Sequence, residues 1–188
     1  MRKLIFQEWV SMDGMAADKN GSVTFIESTT LNKYSDIDQL RWMDTIDTIL
    51  LGANTYKLFI EFWPAATTDQ EIIADKLNSI PKIVFSRTLK KAPWGKYPDA
   101  EISDDAIKTI KELKKKSGKD MVLWGSISVA QQLMKENLID EYHLRIVPIV
   151  LGEGRPLFAS TGPLNFELYH SRHYDSGLML LEYKPASV

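Results

Sequence analysis

Three short segments carry the residue types from which a phosphate-binding site can be assembled: LGANTY at residues 51–56, FSRTL at 85–89 and WGSIS at 124–128. Each follows or closes an apolar run. Gly52 permits a sharp turn, and Asn54 or Thr55 can cap a following helix. Ser86 and Arg87 put a hydroxyl beside a fixed positive charge, a pairing suited to a phosphate monoester. At Trp124, Gly125 and Ser126 an apolar run gives way to helical spacing at Ile127, Ala130, Leu133 and Met134. A helix N-terminus placed there presents unpaired N–H groups and partial positive charge to an anion. Any one segment is also ordinary capping chemistry, but three on the same side of one sheet read as an anion-binding edge.

The elements that must position these segments alternate along the chain. Apolar runs at Leu4–Val10, Ile46–Leu51, Lys82–Phe85, Met121–Trp124 and Tyr142–Val150 read as strands buried on both faces. Amphipathic stretches at Leu31–Thr45, Thr55–Phe62, Asp69–Ser79, Asp104–Lys116 and Ser126–Glu136 read as helices. Strand and helix in alternation predict an α/β domain with a largely parallel sheet, in which ligands bind beyond the carboxyl ends of the strands. Leu164–Tyr174 and Leu178–Tyr183 are strand-like with no helix between them, and Asp175-Ser176-Gly177 signals a tight hairpin. An antiparallel edge is therefore expected at the C-terminal side of the sheet, within one domain spanning residues 1–188.

Other chemistries find little support. GxGxxG and GxxxxGK[ST] motifs are absent, as is any His/Asp/Glu set spaced for a metal. His170 and His173 fall on opposite faces of a predicted strand, and His143 is read as part of a surface strand. Ser11, Ser126 and Ser128 lie in no nucleophile elbow. With no cysteine, thiolate metal sites and cysteine nucleophiles are excluded. Hydride transfer from a bound nicotinamide fits what is left, because there the cofactor carries the chemistry and the protein positions it.

A net charge of −2 argues against a general nucleic-acid binder, and the basic cluster of Lys111, Lys114–Lys116 and Lys119 complements the end of a predicted helix. Gln7 and Glu8 interrupt the N-terminal apolar stretch, so no signal peptide is expected, and no run is long enough for a membrane span. A cytoplasmic location follows as the expectation. For each of the five tryptophans, burial in the core is the favoured reading.

SMDG (11–14), LGANTY (51–56), KIVFSRTL (82–89), WGSISVAQQLMKENLIDEYHL (124–144) and PIVLGEGRPLF (148–158), in that order, resemble the dihydrofolate reductase-like superfamily. Within it the chain is most similar to the reductase domain of the riboflavin-biosynthesis deaminase-reductase and its stand-alone relatives. The resemblance covers nearly the whole chain. It implies a three-layer fold with a mostly parallel central sheet of about eight strands, an antiparallel C-terminal edge and flanking helices.

The same resemblance implies cofactor contacts at Gly52, Asn54, Thr55, Ser86, Arg87, Trp124, Gly125, Ser126 and Ile127, with NADPH as the cofactor. Ser126 stands where the family has a second glycine, and Ala53 stands where an arginine commonly grips the phosphate, which weakens NADPH against NADH; Ser86-Arg87 compensates. Asp36 and Asp38 match a helix from which related enzymes assist protonation of a pterin, although both also suit a helix N-terminus. Asp13 matches the acidic residue of a Ser-Leu-Asp-Gly loop beside the nicotinamide. Ser11, Asp13, Gly152, Glu153 and Gly154 are the implied substrate contacts; Asp13 also suits a turn.

The leading expectation is an NADPH-dependent reductase acting on a small heterocyclic or ribosylamino-pyrimidine substrate. The arginine that binds the folate glutamate in dihydrofolate reductases has no counterpart in Ile80-Pro81-Lys82, so a folate or pterin substrate ranks lower. A zinc-deaminase HxE…PCxxC signature cannot occur without cysteine. The alternatives are a regulatory nucleotide-binding domain, favoured by Ala53 and Ser126, and a structural dimer module. Homodimerisation is implied by the resemblance alone.

Overall fold

The computed structural model describes residues 2–26, 33–159 and 162–186. In chain order its elements are β1 (Leu4–Ser11), β2 (Met15–Asp18), α1 (Lys33–Trp42), β3 (Ile46–Gly52), α2 (Ala53–Phe62), α3 (Ala74–Ser79), β4 (Lys82–Phe85), β5 (Glu101–Ser103), α4 (Ala106–Leu113), β6 (Asp120–Trp124), α5 (Ile127–Lys135), β7 (Glu141–Val147), β8 (Gly154–Pro156), β9 (Phe166–His173) and β10 (Met179–Pro185). Eight strands form one sheet in the order β5-β4-β3-β6-β1-β7-β10-β9. The first six in that order run parallel, and β10 is antiparallel to both its neighbours, β7 and β9.

The pleat explains why the central strands read as unbroken apolar runs. On one face Leu4, Phe6, Leu50, Met121, Leu123, Tyr142 and Leu144 pack against Ala106 and Ile110 of α4 and Val129, Ala130, Leu133 and Met134 of α5. Ile5, Ile49, Leu51, Val84, Val122 and Trp124 alternate with them and pack on the other face against Tyr56, Leu77 and Trp94. Trp94 lies in a loop yet is fully buried, because its indole N–H donates to Asn78 (2.7 Å). Trp124 is buried as well, whereas Trp9, Trp42 and Trp63 are partly exposed.

Several boundaries differ from the sequence expectation. The strand expected to reach Val150 stops at Val147, since Pro148 has no N–H for the ladder. Of the helix expected over Asp69–Ser79 only Ala74–Ser79 forms, the preceding residues making turns such as Glu71 N–H to Thr67 O (2.9 Å). Leu31 and Asn32, expected to begin the first helix, lie outside the described residues, as do residues 160 and 161 of the loop before Pro163. The hairpin at Asp175-Ser176-Gly177 forms with Gly177 at φ +85°. The short strands β2, β5 and β8 have three or four residues each, too few for alternation to register. His143 is not on the surface: it is 3% exposed, between Glu141, Tyr169 and Glu182.

One topological detail prepares the site. β1 pairs with β6 only from Leu4↔Met121 to Gln7↔Trp124, yet continues beside β7 as far as Ser11↔Val147. Beyond Gln7 and Trp124 the two central parallel strands have no further pairing, and an opening lies between their carboxyl ends.

Candidate active site

A cavity of about 1610 Å³ occupies this carboxyl edge. At one end it is walled by the turns that begin α2 and α5. Gly52, Ala53, Asn54 and Thr55 contribute from the first, Trp124, Gly125, Ser126 and Ile127 from the second, and Ser86 with Arg87 from the end of β4. All nine cofactor-contact candidates therefore line one cavity. Both helix N-termini direct unpaired N–H groups there, and Arg87 is exposed toward it.

Local sequence chemistry holds these turns in place. Ser126 adopts the left-handed conformation at φ 64°, unusual outside glycine, and follows Gly125 at φ 55°. The Ser126 hydroxyl accepts the N–H of Gly52 and reaches Thr55 Oγ1 (3.0 Å). A Cβ on Gly52 would lie 2.9 Å from Ser126 Oγ, and one on Gly125 would lie 3.0 Å from Thr55 Oγ1. Neither glycine has room for a side chain, which leaves the backbone uncovered at those two points of the cavity wall. Ser86 accepts the N–H groups of Thr88 (3.2 Å) and Leu89 (3.0 Å), which fixes the loop carrying Arg87. Two helix termini and a guanidinium form a donor set that fits the phosphates of a dinucleotide.

The other end of the cavity is built differently. Asp36 and Gln39 of α1, Gln7 and Trp9 of β1 and Arg145 of β7 line it. Gln7 accepts the Trp124 indole N–H (2.7 Å) and exchanges amide hydrogen bonds with Gln39, which orders the floor. Burial pushes the Asp36 carboxyl up to about 6, against the opposing pull of the Arg145 charge. At the opening beyond the last β1–β6 pair stands Glu8, 7% exposed and pushed up to about 8 by burial, so that at neutral pH it carries its proton.

The remaining candidates fall elsewhere. Asp38 turns from the main cavity to a smaller one of about 180 Å³, where it accepts the Tyr174 hydroxyl (2.9 Å) and pairs with Arg172 (2.7 Å). Asp13 accepts the Ser11 hydroxyl (2.5 Å) and the N–H groups of Gly152 (2.8 Å) and Leu151 (3.2 Å). Those bonds hold its carboxyl low, at about 2. The Ser11–Asp13 turn is thereby clasped to the loop after β7. Glu153 pairs with Lys19 (3.5 Å). Of Ser11, Asp13, Gly152, Glu153 and Gly154, Gly154 alone lines the cavity. Sequence reasoning passed over Glu8, Gln39 and Arg145; the available signal was a charged residue inside an otherwise apolar strand, as in LIFQEWV and YHLRIV.

The sheet order, the antiparallel edge and the strand-end cavity define a dihydrofolate reductase-like α/β protein. Residues 2–180 match the RibD C-terminal domain, and the chain belongs to that family. It is 31% identical to the uncharacterized Bacillus subtilis protein YyaP over 97% of this chain and 94% of the relative. A putative riboflavin biosynthesis protein from Shewanella superposes with a TM-score of 0.77 at 25% identity, covering 98% of this chain and 99% of the other. The diaminohydroxyphosphoribosylaminopyrimidine deaminase/5-amino-6-(5-phosphoribosylamino)uracil reductase of Thermotoga maritima shares the fold over 98% of this chain and 57% of its own, with a TM-score of 0.68 at 15% identity. Among the described residues no helix is long and apolar enough to cross a membrane.

Proposed function

We propose that this chain is an NADPH-dependent reductase of a small carbonyl- or imine-bearing heterocycle. The observation that carries this reading is the meeting of the α2 and α5 N-termini with Arg87 at one end of a cavity whose other end opens between β1 and β6. The first end suits the pyrophosphate and 2′-phosphate of a dinucleotide, and the opening suits a flat ring. When bound, the reduced nicotinamide supplies hydride. The residues of the chain orient the acceptor, exclude water and deliver a proton.

In this reading Ser126, Thr55 and Gly52 keep the backbone donors in register with the pyrophosphate, and Arg87 selects the 2′-phosphate. Trp9 and Gln7 form the floor beneath the ring. Asp36 holds the proton that balances the incoming hydride, its raised pKa placing it near the range useful for transfer at neutral pH. The ribosylamino-pyrimidine in the name of the Thermotoga relative is the first substrate to test.

The test is a titration of the purified chain with NADPH and with NADH, followed by tryptophan fluorescence and energy transfer to the nicotinamide. NADPH is expected to bind about tenfold or more tightly than NADH, and Arg87→Ala to remove the difference. Absence of binding by either nucleotide overturns the proposal. Ala53, which places no guanidinium at the start of α2, favours a second reading: a nucleotide-binding regulatory domain that binds NADPH and turns over none of the heterocycles offered.

A further inference from the structure

Arg145 is a buried cation whose surroundings leave part of it unused. The residue is 2% exposed, and its Nη1 has no hydrogen-bond partner among the described residues. Its other terminal nitrogen is occupied by Gln39 Oε1 (2.7 Å) and the Ser35 carbonyl (3.5 Å). Of the nearby carboxylates, Asp38 is committed to Arg172 and Tyr174 and Glu182 to His143 and His170, while Asp36 makes no hydrogen bond to Nη1. The guanidinium faces the Trp9 ring at 5.1 Å, and the residue lines both the main cavity and the smaller one. A buried donor left without an acceptor costs stability, so a partner that arrives with a ligand is the economical explanation.

The number of free donors and the neighbouring surfaces define that ligand. A carboxylate or phosphate is best held by a two-nitrogen fork, but only one terminal nitrogen of Arg145 is open. Asp36, Asp69 and Glu71 also line the cavity, and their charge disfavours a dianion in it. Phe59, Phe62 and Trp63 form an aromatic stretch of the cavity lining, with ring centroids 5.3 Å apart for Phe62–Trp63 and 6.1 Å for Phe59–Trp63. A flat ring can lie against such a stretch.

Resting on the reductase reading above, we infer that Arg145 is a substrate-specificity residue: its Nη1 donates to a single carbonyl oxygen of an uncharged, unphosphorylated ring held against Phe59, Phe62 and Trp63. The substrate class is a neutral lactam or cyclic imide. A rival is a phosphorylated substrate whose phosphate reaches Arg155, the exposed cation of β8 on the same cavity.

The experiment is fluorescence titration of the full chain, saturated with NADP+, using two probes: 5,6-diaminouracil and 5-amino-6-(5-phosphoribosylamino)uracil. Diaminouracil is expected to bind, and the phosphorylated probe to bind no more tightly. Arg145→Met is expected to weaken diaminouracil binding by about tenfold or more, with Arg145→Lys recovering part of the loss and both variants keeping wild-type NADP+ affinity. If a variant fails to bind NADP+, Gln39→Leu, which frees the bond holding the guanidinium in place, gives the second measurement and is expected to weaken the same probe. The inference is overturned if Arg145→Met or Gln39→Leu binds diaminouracil as wild type does, or if wild type binds NADP+ but not diaminouracil. It is also overturned if the phosphorylated probe binds about tenfold or more tightly and Arg155→Ala abolishes that gain. Failure of NADP+ binding sinks the reductase reading itself, so the two failures are distinguishable.

Discussion

The hydroxyl of Ser126 accepts the backbone N–H of Gly52, fastening the turn after β6 to the turn after β3 across a sequence separation of 74 residues. This contact gives a residue in the left-handed region a reason to be serine instead of glycine. The hydroxyl replaces a freely rotating turn with one tied to its neighbour.

Exchange at that pair should therefore be non-additive. Gly52→Ala places a Cβ within 2.9 Å of Ser126 Oγ and is expected to destabilise by about 1–2 kcal/mol. Ser126→Gly relieves about 1 kcal/mol of left-handed strain but loses a hydrogen bond of similar worth, so its net effect is close to zero. In the double variant the Gly52→Ala cost should shrink, because the obstructing oxygen is gone. Urea denaturation of the four proteins in a double-mutant cycle measures this, and strictly additive costs refute the coupling.

Asp13 is expected to act as a clasp. Asp13→Ala removes the acceptor for the Leu151 and Gly152 N–H groups and should accelerate amide exchange at those two positions. Because Asp13 does not line the cavity, the NADPH dissociation constant should change far less than in Arg87→Ala. The folded carboxyl titrates at about 2, below its ordinary value, so the clasp is complete above pH 4 or so and is lost as pH falls through about 2. A large loss of nucleotide affinity in Asp13→Ala with unchanged exchange would contradict this role.

How far the sequence carried depends on the kind of information each element needed. The central strands were legible because burial on both faces writes them as continuous apolar runs, and the strand-to-helix turns were legible because glycine and serine mark them. Asp38 and Asp36 were indistinguishable by sequence, since two positions along a helix rotate a side chain by about 200°, and only packing reveals which of the two meets the cavity. Asp13 suited a turn and a ligand contact equally well. Arg145 was hidden because its significance lies in what its neighbours are bonded to, which no local pattern records.

Glu8 should give the fold an opposite pH dependence. Its folded pKa of about 8 lies above the ordinary carboxylate value, so the native state holds a proton that the unfolded chain releases between those limits. Its contribution is fully present below the unfolded pKa and declines as pH rises through about 8, with a slope of up to about 1.4 kcal/mol per pH unit. Glu8→Gln keeps an acceptor for the Trp9 N–H and cannot ionise. The variant should gain stability over wild type progressively from about pH 5 to pH 8. Denaturation midpoints of the two proteins across that range test it, and parallel curves refute the buried protonated state.

Asp36 provides the last prediction, which bears on catalysis. Burial raises its pKa to about 6, and the Arg145 charge opposes that rise. If Asp36 supplies the proton during reduction, kcat/KM in wild type should fall as pH increases through about 6, because the acid form is lost. Asp36→Asn should lower turnover by about 100-fold or more and abolish that limb of the profile while leaving NADPH affinity intact. Arg145→Met removes the opposing charge and should move the limb to higher pH, since a carboxyl freed of a neighbouring cation holds its proton more tightly. A profile that keeps its limb in Asp36→Asn assigns the proton to another acid, and Glu8, neutral and buried at the opening between β1 and β6, is then the group to replace next.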